Sequence, residues 1–288
     1  MGISREQALD CLKSDDLIGI GMEADAVRRQ LHPEGVVSYA MERIVGCAKR
    51  QPEAIFAEIG AAQDMGATSI VFDFGATAFE DALQLIAEIN KRFPAISLRA
   101  FSATELGAIA APNPIEQLRA AGLDSIGGVQ PEIADAAWLN VQRLAHEIGM
   151  RTTARIVFGA GETVAERLEQ FDEIRKLQAE TGGFAAIAPV SFHAVGGREL
   201  DETTAVEYLK TLAVARIYVD NVENLEADWT TQGLKVLQMG LRFGANDVGA
   251  VQVEKTKGAT EEELRRVIRD AGFRPAQREP GYRAMMVG

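Results

Sequence analysis

The feature that most constrains the fold is an alternation along the 288 residues between short apolar, β-branched runs and longer segments with helical spacing. Parallel strands joined by crossover helices produce this pattern. We predict eight strands, at 37–46, 68–73, 96–101, 123–126, 152–158, 184–190, 222–226 and 245–249. Strands this apolar need a covering layer on both faces. The sequence therefore predicts either a closed barrel or an open doubly wound sheet.

Helical segments lie between these strands, and several of them end at glycine, which readily adopts a left-handed helix cap. They are "PEAIFAEIGAAQDMG", "FEDALQLIAEINKRF", "PIEQLRAAG", "EIADAAWLNVQRLAHEIG", "VAERLEQFDEIRKLQAETG", "TTAVEYLKTLAVARIYV" and "QGLKVLQMGLRFG". No proline-rich or Gly/Ser linker divides the array. We favour one α/β domain over 1–288, with two helices, at 4–14 and 16–30, in an N-terminal extension (1–34) and a (β/α)8 TIM-type barrel over 35–288.

Composition excludes several classes of function. Lys and Arg number 30 against 42 Asp and Glu, and no basic run resembles a site for a phosphate backbone, so we expect no nucleic-acid partner. No apolar run approaches the roughly 20 residues of a membrane span, and the first residues lack an apolar signal core. We therefore expect a cytoplasmic protein with no membrane partner. Neither a GxGxxG nor a GxxxxGK[ST] loop follows any strand, which leaves a dinucleotide or P-loop site without support.

Metal-binding residues are scarce in this chain. Its three histidines are scattered, and its two cysteines, Cys11 and Cys47, lie 36 positions apart without a CxxC or HxxxH pairing. Transition-metal sites need clustered nitrogen and sulfur ligands. We therefore predict no metal site, and we interpret both cysteines as small packed thiols.

Active sites of (β/α)8 barrels form at the carboxyl ends of the strands, so polar residues at those positions are the site candidates. As proton-transferring catalytic residues we predict His193, Glu132 and Asp247. As substrate-binding residues we predict Arg155, Asp73, Ser102, Ser191, Trp229, Thr231, Asn246 and Glu254, and Phe158 ends a strand beside them.

Several of these candidates have structural alternatives. Arg155 lies inside a strand that should be buried, so it needs an anion, either Glu132 or a carboxylate or phosphate of a ligand. Alternatively, it faces outward between helices. His193 could be an ordinary loop residue, and Asn246 and Asp247 could close a turn or cap a helix.

Longer stretches carry a family resemblance. They are "RRQLHPEGVVSYAMER", "LRAFSATEL", "AAGLDSIGGVQPEI", "RTTARIVFGAGET", "RLEQFDEIRKLQAETGGFAAIAPVSF", "TTAVEYLKTLAVARIYVDNVENLEADWTTQGLKVLQMGLRFGANDVGA" and "TEEELRRVIRDAGFRPAQRE". Together they resemble the radical S-adenosylmethionine enzymes dehypoxanthine futalosine cyclase and aminofutalosine synthase of the menaquinone pathway and, more distantly, the deazaflavin synthase subunits. The resemblance implies a radical-SAM-like (β/α)8 barrel with its ligands at the mouth.

The chain departs from this family at the cofactor motif. The relatives carry a CxxxCxxC loop that holds a [4Fe–4S] cluster with S-adenosylmethionine, whereas here Cys47 precedes a direct turn at Gln51-Pro52 into the next helix. Where the family has a glycine pair, this chain has Asp73-Phe74-Gly75. Ala160 replaces the family's histidine, and His193-Ala194 replaces its Gln-Pro pair. We therefore expect no iron–sulfur cluster, and binding of S-adenosylmethionine has no support from the sequence.

Three functions are consistent with the sequence. The first is an enzyme that binds a small anionic, nucleoside-like or aromatic ligand at the barrel mouth and performs acid–base chemistry, with a possible link to menaquinone-type biosynthesis. The second is a non-catalytic binding protein or a partner of an active paralogue, and the chain could also form a homo-oligomer. The third is a radical enzyme whose cluster ligands come from elsewhere.

Overall fold

The computed structural model describes residues 2–192, 203–253, 258–282 and 284–287. Ten strands run in chain order: β1 Val36–Gly46, β2 Ser69–Asp73, β3 Ser97–Ala100, β4 Ser125–Ile126, β5 Thr152–Phe158, β6 Phe184–Ser191, β7 Asn224–Leu225, β8 Asp247–Gln252, β9 Arg274–Arg278 and β10 Ala284–Val287. Within the same described residues, eleven helices accompany them: α1 Arg5–Lys13, α2 Leu17–Leu31, α3 Pro52–Asp64, α4 Phe79–Arg92, α5 Ala103–Ala108, α6 Pro114–Ala121, α7 Ala136–Glu147, α8 Val164–Thr181, α9 Ala205–Tyr218, α10 Gly233–Gly240 and α11 Glu261–Asp270.

The first eight strands form a parallel ring. β1 to β4 pair in order, β5 to β7 pair in order, and β8 pairs with β1. Single parallel bridges close the two remaining gaps, Glu132 with Ile156 and Glu226 with Asp247. The prediction of a (β/α)8 barrel is confirmed, and the open-sheet alternative is wrong.

Side chains alternate across the barrel wall because successive residues of a strand point to opposite faces. In β5, Thr152, Ala154, Ile156 and Phe158 are buried, while the intervening residues are partly exposed. The buried set faces the helices, and the other set faces the lumen of the barrel. This alternation places Arg155 inside the lumen.

The two N-terminal helices cover one helix of the outer layer. α9 is buried along nearly its whole length, and a helix that is apolar on all sides must be covered on all sides. α2 packs on α9, and α1 packs on α8 and α9. Within the described ranges, no helix is long and apolar enough to cross a membrane.

A C-terminal hairpin closes the amino ends of the strands, which we call the floor of the barrel. β9 pairs in parallel with the first half of β1, and β10 returns antiparallel to β9. The sequence pattern does not predict this hairpin. The eighth strand was predicted at 245–249, but β8 begins at Asp247, so Asn246 and Asp247 lie at the floor and not at a carboxyl end.

Candidate functional site

The lumen holds a cavity of about 1420 Å³ that extends from the mouth to the floor. Side chains of β1, β2, β3, β5, β6 and β8 line its wall, the loop after β7 lines the mouth, and the turn between β9 and β10 lines the floor. Polar side chains project into it at three heights. A cavity of this size accommodates a nucleoside-sized or larger small molecule.

Arg155 lies midway along the lumen. Its Nη1 donates a hydrogen bond to the Val129 carbonyl oxygen at 3.2 Å. Among the described residues, no carboxylate lies within ion-pair distance of its guanidinium. Glu132, the partner considered from the sequence, does not pair with it. A guanidinium that keeps most of its donors free inside a cavity is suited to bind a ligand anion through two parallel hydrogen bonds.

A second arginine of the lumen is already neutralised. Arg99 Nη2 lies 3.1 Å from Glu42 Oε2 and 3.3 Å from Oε1. The hydroxyl of Ser69 also donates to Glu42, at 3.4 Å. This ion pair gives the lumen wall hydrogen-bonding groups without adding net charge.

At the floor lies a buried group of polar residues that we call the floor cluster: Ser38, Glu226, Asp247, Arg278 and Tyr282. Arg278 donates two hydrogen bonds to Asp247, from Nε to Oδ2 at 2.5 Å and from Nη2 to Oδ1 at 3.0 Å. Its Nη2 also contacts Glu226 Oε1 at 3.2 Å. The hydroxyl of Tyr282 donates to Glu226, and the hydroxyl of Ser38 donates to Asp247. Two carboxylates therefore share one guanidinium.

Charge and burial shift the protonation of the floor cluster. Burial raises the pKa of Glu226, and the Asp247 carboxylate raises it further. Arg278, Tyr282 and Arg155 act in the opposite direction on Glu226. Although burial alone lowers the pKa of Arg278, Asp247 reverses the effect and the net shift is upward. The contribution of Arg155 places it within electrostatic reach of Glu226.

Another polar network occupies the mouth. Asp228 accepts hydrogen bonds from the hydroxyls of Thr230 and Thr231, each at 2.6 Å. Thr231 lies 2.7 Å from the Ser191 hydroxyl, which also accepts a bond from Gln232 at 2.9 Å. The structure thus brings Ser191, Thr231 and Trp229, three predicted binding residues, together beside the cavity.

Other predicted site residues make structural contacts instead. Glu132 caps the start of α5, where its carboxylate accepts from the backbone amides of Ala103 and Thr104 at 3.1 and 3.2 Å. Ser102 is the N-cap of the same helix and is paired with Glu105 in a capping box. Neither residue lines the large cavity.

Four further candidates lie away from the lumen wall. Asp73 ends β2 with an exposed side chain that accepts from the amide of Gly75. Asn246 is buried and binds Arg216 at 2.6 Å. Phe158 faces the helices, where its ring stacks on Tyr208. Asp247 belongs to the floor cluster and is fully buried. His193 and Glu254 lie outside the described residues.

Sequence reasoning missed Glu226, Asp228, Arg278 and Tyr282. Asp228 carried a detectable signal, because it follows β7 at the end of the strand where barrel sites form, whereas Glu226 pairs with Asp247 at the floor. Arg278 and Tyr282 carried none, since they reach the lumen only through the pairing of β9 with β1.

The cysteines lie outside the lumen. Cys47 follows β1 on the helix-facing side, is 4% exposed, and has its pKa raised to about 12, chiefly by burial. Cys11 lies on α1 and is partly buried. The interpretation of Cys47 as a packed thiol agrees with this placement.

In sequence comparisons, this chain is similar to several named enzymes. Cyclic dehypoxanthine futalosine synthase from Streptomyces coelicolor is 30% identical over 99% of this chain and 86% of its own length. Aminodeoxyfutalosine synthase from Thermus thermophilus is 30% identical over 93% and 80%. The 5-amino-6-(D-ribitylamino)uracil–L-tyrosine 4-hydroxyphenyl transferase of Methanopyrus kandleri is 32% identical over 82% and 75%. Residues 181–287 match the CofH/MqnC C-terminal region family.

Solved structures share the fold. The FeFe-hydrogenase maturase HydG from Carboxydothermus hydrogenoformans superposes with a TM-score of 0.73 at 14% identity, over 98% of this chain and 78% of that chain. Methylornithine synthase (PylB) superposes with a TM-score of 0.69 at 12% identity, over 96% and 95%. These similarities support the radical-SAM type of TIM barrel.

The comparisons correct the expectation about cofactors. The homologues and structural neighbours are radical S-adenosylmethionine enzymes that use iron–sulfur clusters, which contradicts the expectation that no cluster belongs to this protein. The residues present nevertheless do not fit such a cluster, which needs three or four thiolates, because the sequence contains two cysteines and Cys47 faces away from the lumen. Among the described residues, no group of three or more His, Cys, Asp or Glu could hold a metal.

Proposed function

This chain belongs to the family of the cyclic dehypoxanthine futalosine and aminodeoxyfutalosine synthases, and from that premise we propose that it binds a small anionic, nucleoside-like or aromatic molecule in the barrel lumen and transfers protons to and from it. The relatives act in futalosine-related and deazaflavin-related pathways, which supports a role in menaquinone-type biosynthesis. The single observation that carries the proposal is the guanidinium of Arg155, which projects into a cavity of about 1420 Å³ without a carboxylate partner among the described residues.

The lumen supports an anionic ligand for an energetic reason. The half-buried guanidinium of Arg155 is partly removed from water without a counter-ion, and a bound anion would compensate its charge. Arg99 already has Glu42 and Arg278 already has Asp247, so Arg155 is the one of these three lumen arginines that binds no carboxylate among the described residues. An anionic group of the ligand would therefore lie beside Arg155.

The rest of the ligand would occupy the space between Arg155 and the mouth. Ser191, Thr231 and Trp229 border that space with two hydroxyls and an indole ring. Hydroxyl groups suit the polar substituents of a nucleoside, and an aromatic ring suits a base or an aryl group. No step of this proposal passes through an iron–sulfur cluster, because the residues present do not supply its ligands.

Native mass spectrometry of the purified protein, followed by identification of the released small molecule, tests the proposal. Thermal shift with aminodeoxyfutalosine and with 5-amino-6-(D-ribitylamino)uracil provides a second readout. A ligand at one hundred times its Kd stabilises the native state by about 2.7 kcal/mol, which corresponds to a rise in Tm of about 4–5 °C.

Two variants make this experiment specific. Arg155→Gln keeps a donor for the Val129 carbonyl but removes the charge, so the ligand-induced shift should disappear. Arg143→Gln removes an exposed arginine that pairs with Glu180 on the outer surface, and the shift should persist. Equal shifts in Arg155→Gln and the wild type would refute the proposed role of Arg155.

A binding protein without turnover is the second candidate function. It is favoured by the placement of two predicted catalytic residues, since Glu132 caps α5 and Asp247 is held by Arg278. In that case the protein retains a ligand or associates with a catalytic paralogue. Incubation with the co-purified compound and analysis of the products separates the two functions, because only the enzyme changes the mass of that compound.

A further inference from the structure

The floor cluster has an imbalance of charge that faces the lumen. Asp247 uses both of its oxygens to bind the Arg278 guanidinium and is 0% exposed. Glu226 receives one longer bond from Arg278, at 3.2 Å, and one from the hydroxyl of Tyr282. Unlike Asp247, Glu226 borders the cavity. Its charge is therefore the less compensated of the two.

Arg155 supplies the remaining compensation from a distance. It is not within ion-pair range of Glu226, yet its charge favours the ionised form of that carboxyl. A ligand anion beside Arg155 would neutralise this charge and add a second negative charge to the same low-dielectric space. Two like charges in one buried site cannot both be accommodated without raising the proton affinity of one of them.

We propose that Glu226 is the proton-exchanging residue of the lumen, which takes up one proton from solvent when an anionic ligand binds beside Arg155. The inference rests on the proposed function for the ligand and adds a residue that the sequence did not indicate. The proton moves from water onto a Glu226 carboxylate oxygen, so the occupied site keeps its net charge. Anion binding then becomes weaker as the pH rises.

The groups that face Glu226 come from several elements. The acidic groups near Glu226 are the carboxyl of Asp247 on β8 and the phenol of Tyr208 on α9. Arg278 and Tyr282 approach Glu226 from the floor. The hydroxyl of Tyr208 accepts a hydrogen bond from the backbone amide of Asp228 at 2.6 Å. Arg155 approaches from β5. The Arg278 guanidinium remains cationic throughout, so Glu226 is the group of this set that can change its charge near neutral pH.

Infrared titration of the ligand-free protein tests the protonation of Glu226 directly. The difference spectrum between the wild type and Glu226→Gln isolates the carbonyl band of the protonated side chain. Because burial and Asp247 raise the pKa of Glu226, we expect this band to persist to a higher pH than the band of an ordinary glutamic acid. Tyr282→Phe removes a bond to the carboxylate and should extend the band to higher pH. Repeating the titration with saturating benzoate tests the uptake, because the wild-type band should then extend to higher pH than in the ligand-free protein. A band that ends at the same pH with and without benzoate would overturn the proposal.

Calorimetry with benzoate as the anionic probe tests the coupling. Titrations in two cationic buffers with different ionisation enthalpies give the number of protons taken up per bound anion. We expect an uptake approaching one proton and an affinity that falls up to tenfold per pH unit in the wild type. Glu226→Gln should bind without uptake. Glu223→Gln, which alters an exposed carboxylate three positions earlier, should behave as the wild type does.

The outcomes separate this inference from the function on which it rests. Equal proton uptake in the wild type and Glu226→Gln would overturn the role of Glu226 while leaving anion binding intact. Failure of both proteins to bind benzoate and the compounds of the thermal-shift experiment would count against the proposed function. The infrared band would still decide whether Glu226 holds a proton in the free lumen.

Discussion

Replacement of Arg278 by glutamine tests how strongly the stability of the barrel floor depends on one guanidinium. Arg278 is 5% exposed and makes three bonds to carboxylates, two to Asp247 and one to Glu226. Glutamine retains part of the side-chain volume but carries no charge. The variant therefore leaves two carboxylates buried, with exposed fractions of 0% for Asp247 and 9% for Glu226.

The expected cost follows from that burial. Removing one partner of a buried ion pair lowers the free energy of unfolding by about 3–5 kcal/mol, because the remaining charge stays uncompensated. For a chain of 288 residues the loss corresponds to a decrease in Tm of about 5–8 °C. Arg274→Gln is the matched control, since Arg274 lies on the same strand, is exposed, and bonds only the Glu34 carbonyl among the described residues. It should cost less than about 0.5 kcal/mol.

Urea unfolding followed by circular dichroism measures both variants. The double variant Arg278→Gln/Asp247→Asn should recover at least about 2 kcal/mol of the loss, because it removes the charge that Arg278 compensates. A loss below about 1 kcal/mol in Arg278→Gln, or a double variant no more stable than the single one, would show that the floor cluster is not an electrostatic unit.

Three further predictions concern titratable groups. The native state raises the pKa of Glu226 and so holds its proton more tightly than the unfolded chain does. The free energy of unfolding of the wild type should therefore fall as the pH rises above about 4.3, by up to about 1.4 kcal/mol per pH unit. In urea unfolding, Glu226→Gln should flatten this slope. Burial lowers the pKa of His146 to about 4, so its contribution should be lost as pH falls from about 6.5 towards 4, and His146→Gln should remove that loss in thermal unfolding. A thiol assay with Ellman's reagent should titrate Cys11 in the native protein within minutes and Cys47 only in urea, and rapid reaction of both would contradict the burial of Cys47.

The ring of strands was predictable from the sequence because its signal is local. Each of β1 to β6 is an apolar run that ends at a turn or a capped helix, so its position could be read within a few residues. The start of β8 was predicted two residues too early because Ala245 continues the apolar pattern. In the structure, the side chain of the neighbouring Asn246 binds both Arg216 and the Leu225 amide. β9 contains Arg, Pro and Gln, and only its pairing with β1 makes it a strand.

The site was less predictable, since its residues converge from distant parts of the chain. The unusual position of Arg155 in an apolar strand was a sound signal, and the structure places its side chain in the lumen. Glu132 and Ser102 follow strands, as site residues do, but the start of α5 needs hydrogen-bond acceptors and both side chains supply them. No local pattern distinguishes a capping carboxylate from a catalytic one.

The pairing of β1 with β9 has a consequence for how the chain acquires its structure. Val36 lies beside Arg274, so the first strand of the ring obtains this neighbour only after more than two hundred further residues have left the ribosome. Contacts between such distant segments form slowly and leave an open strand edge in the meantime. Nascent chains that stall before β8 should therefore depend on chaperones to protect β1.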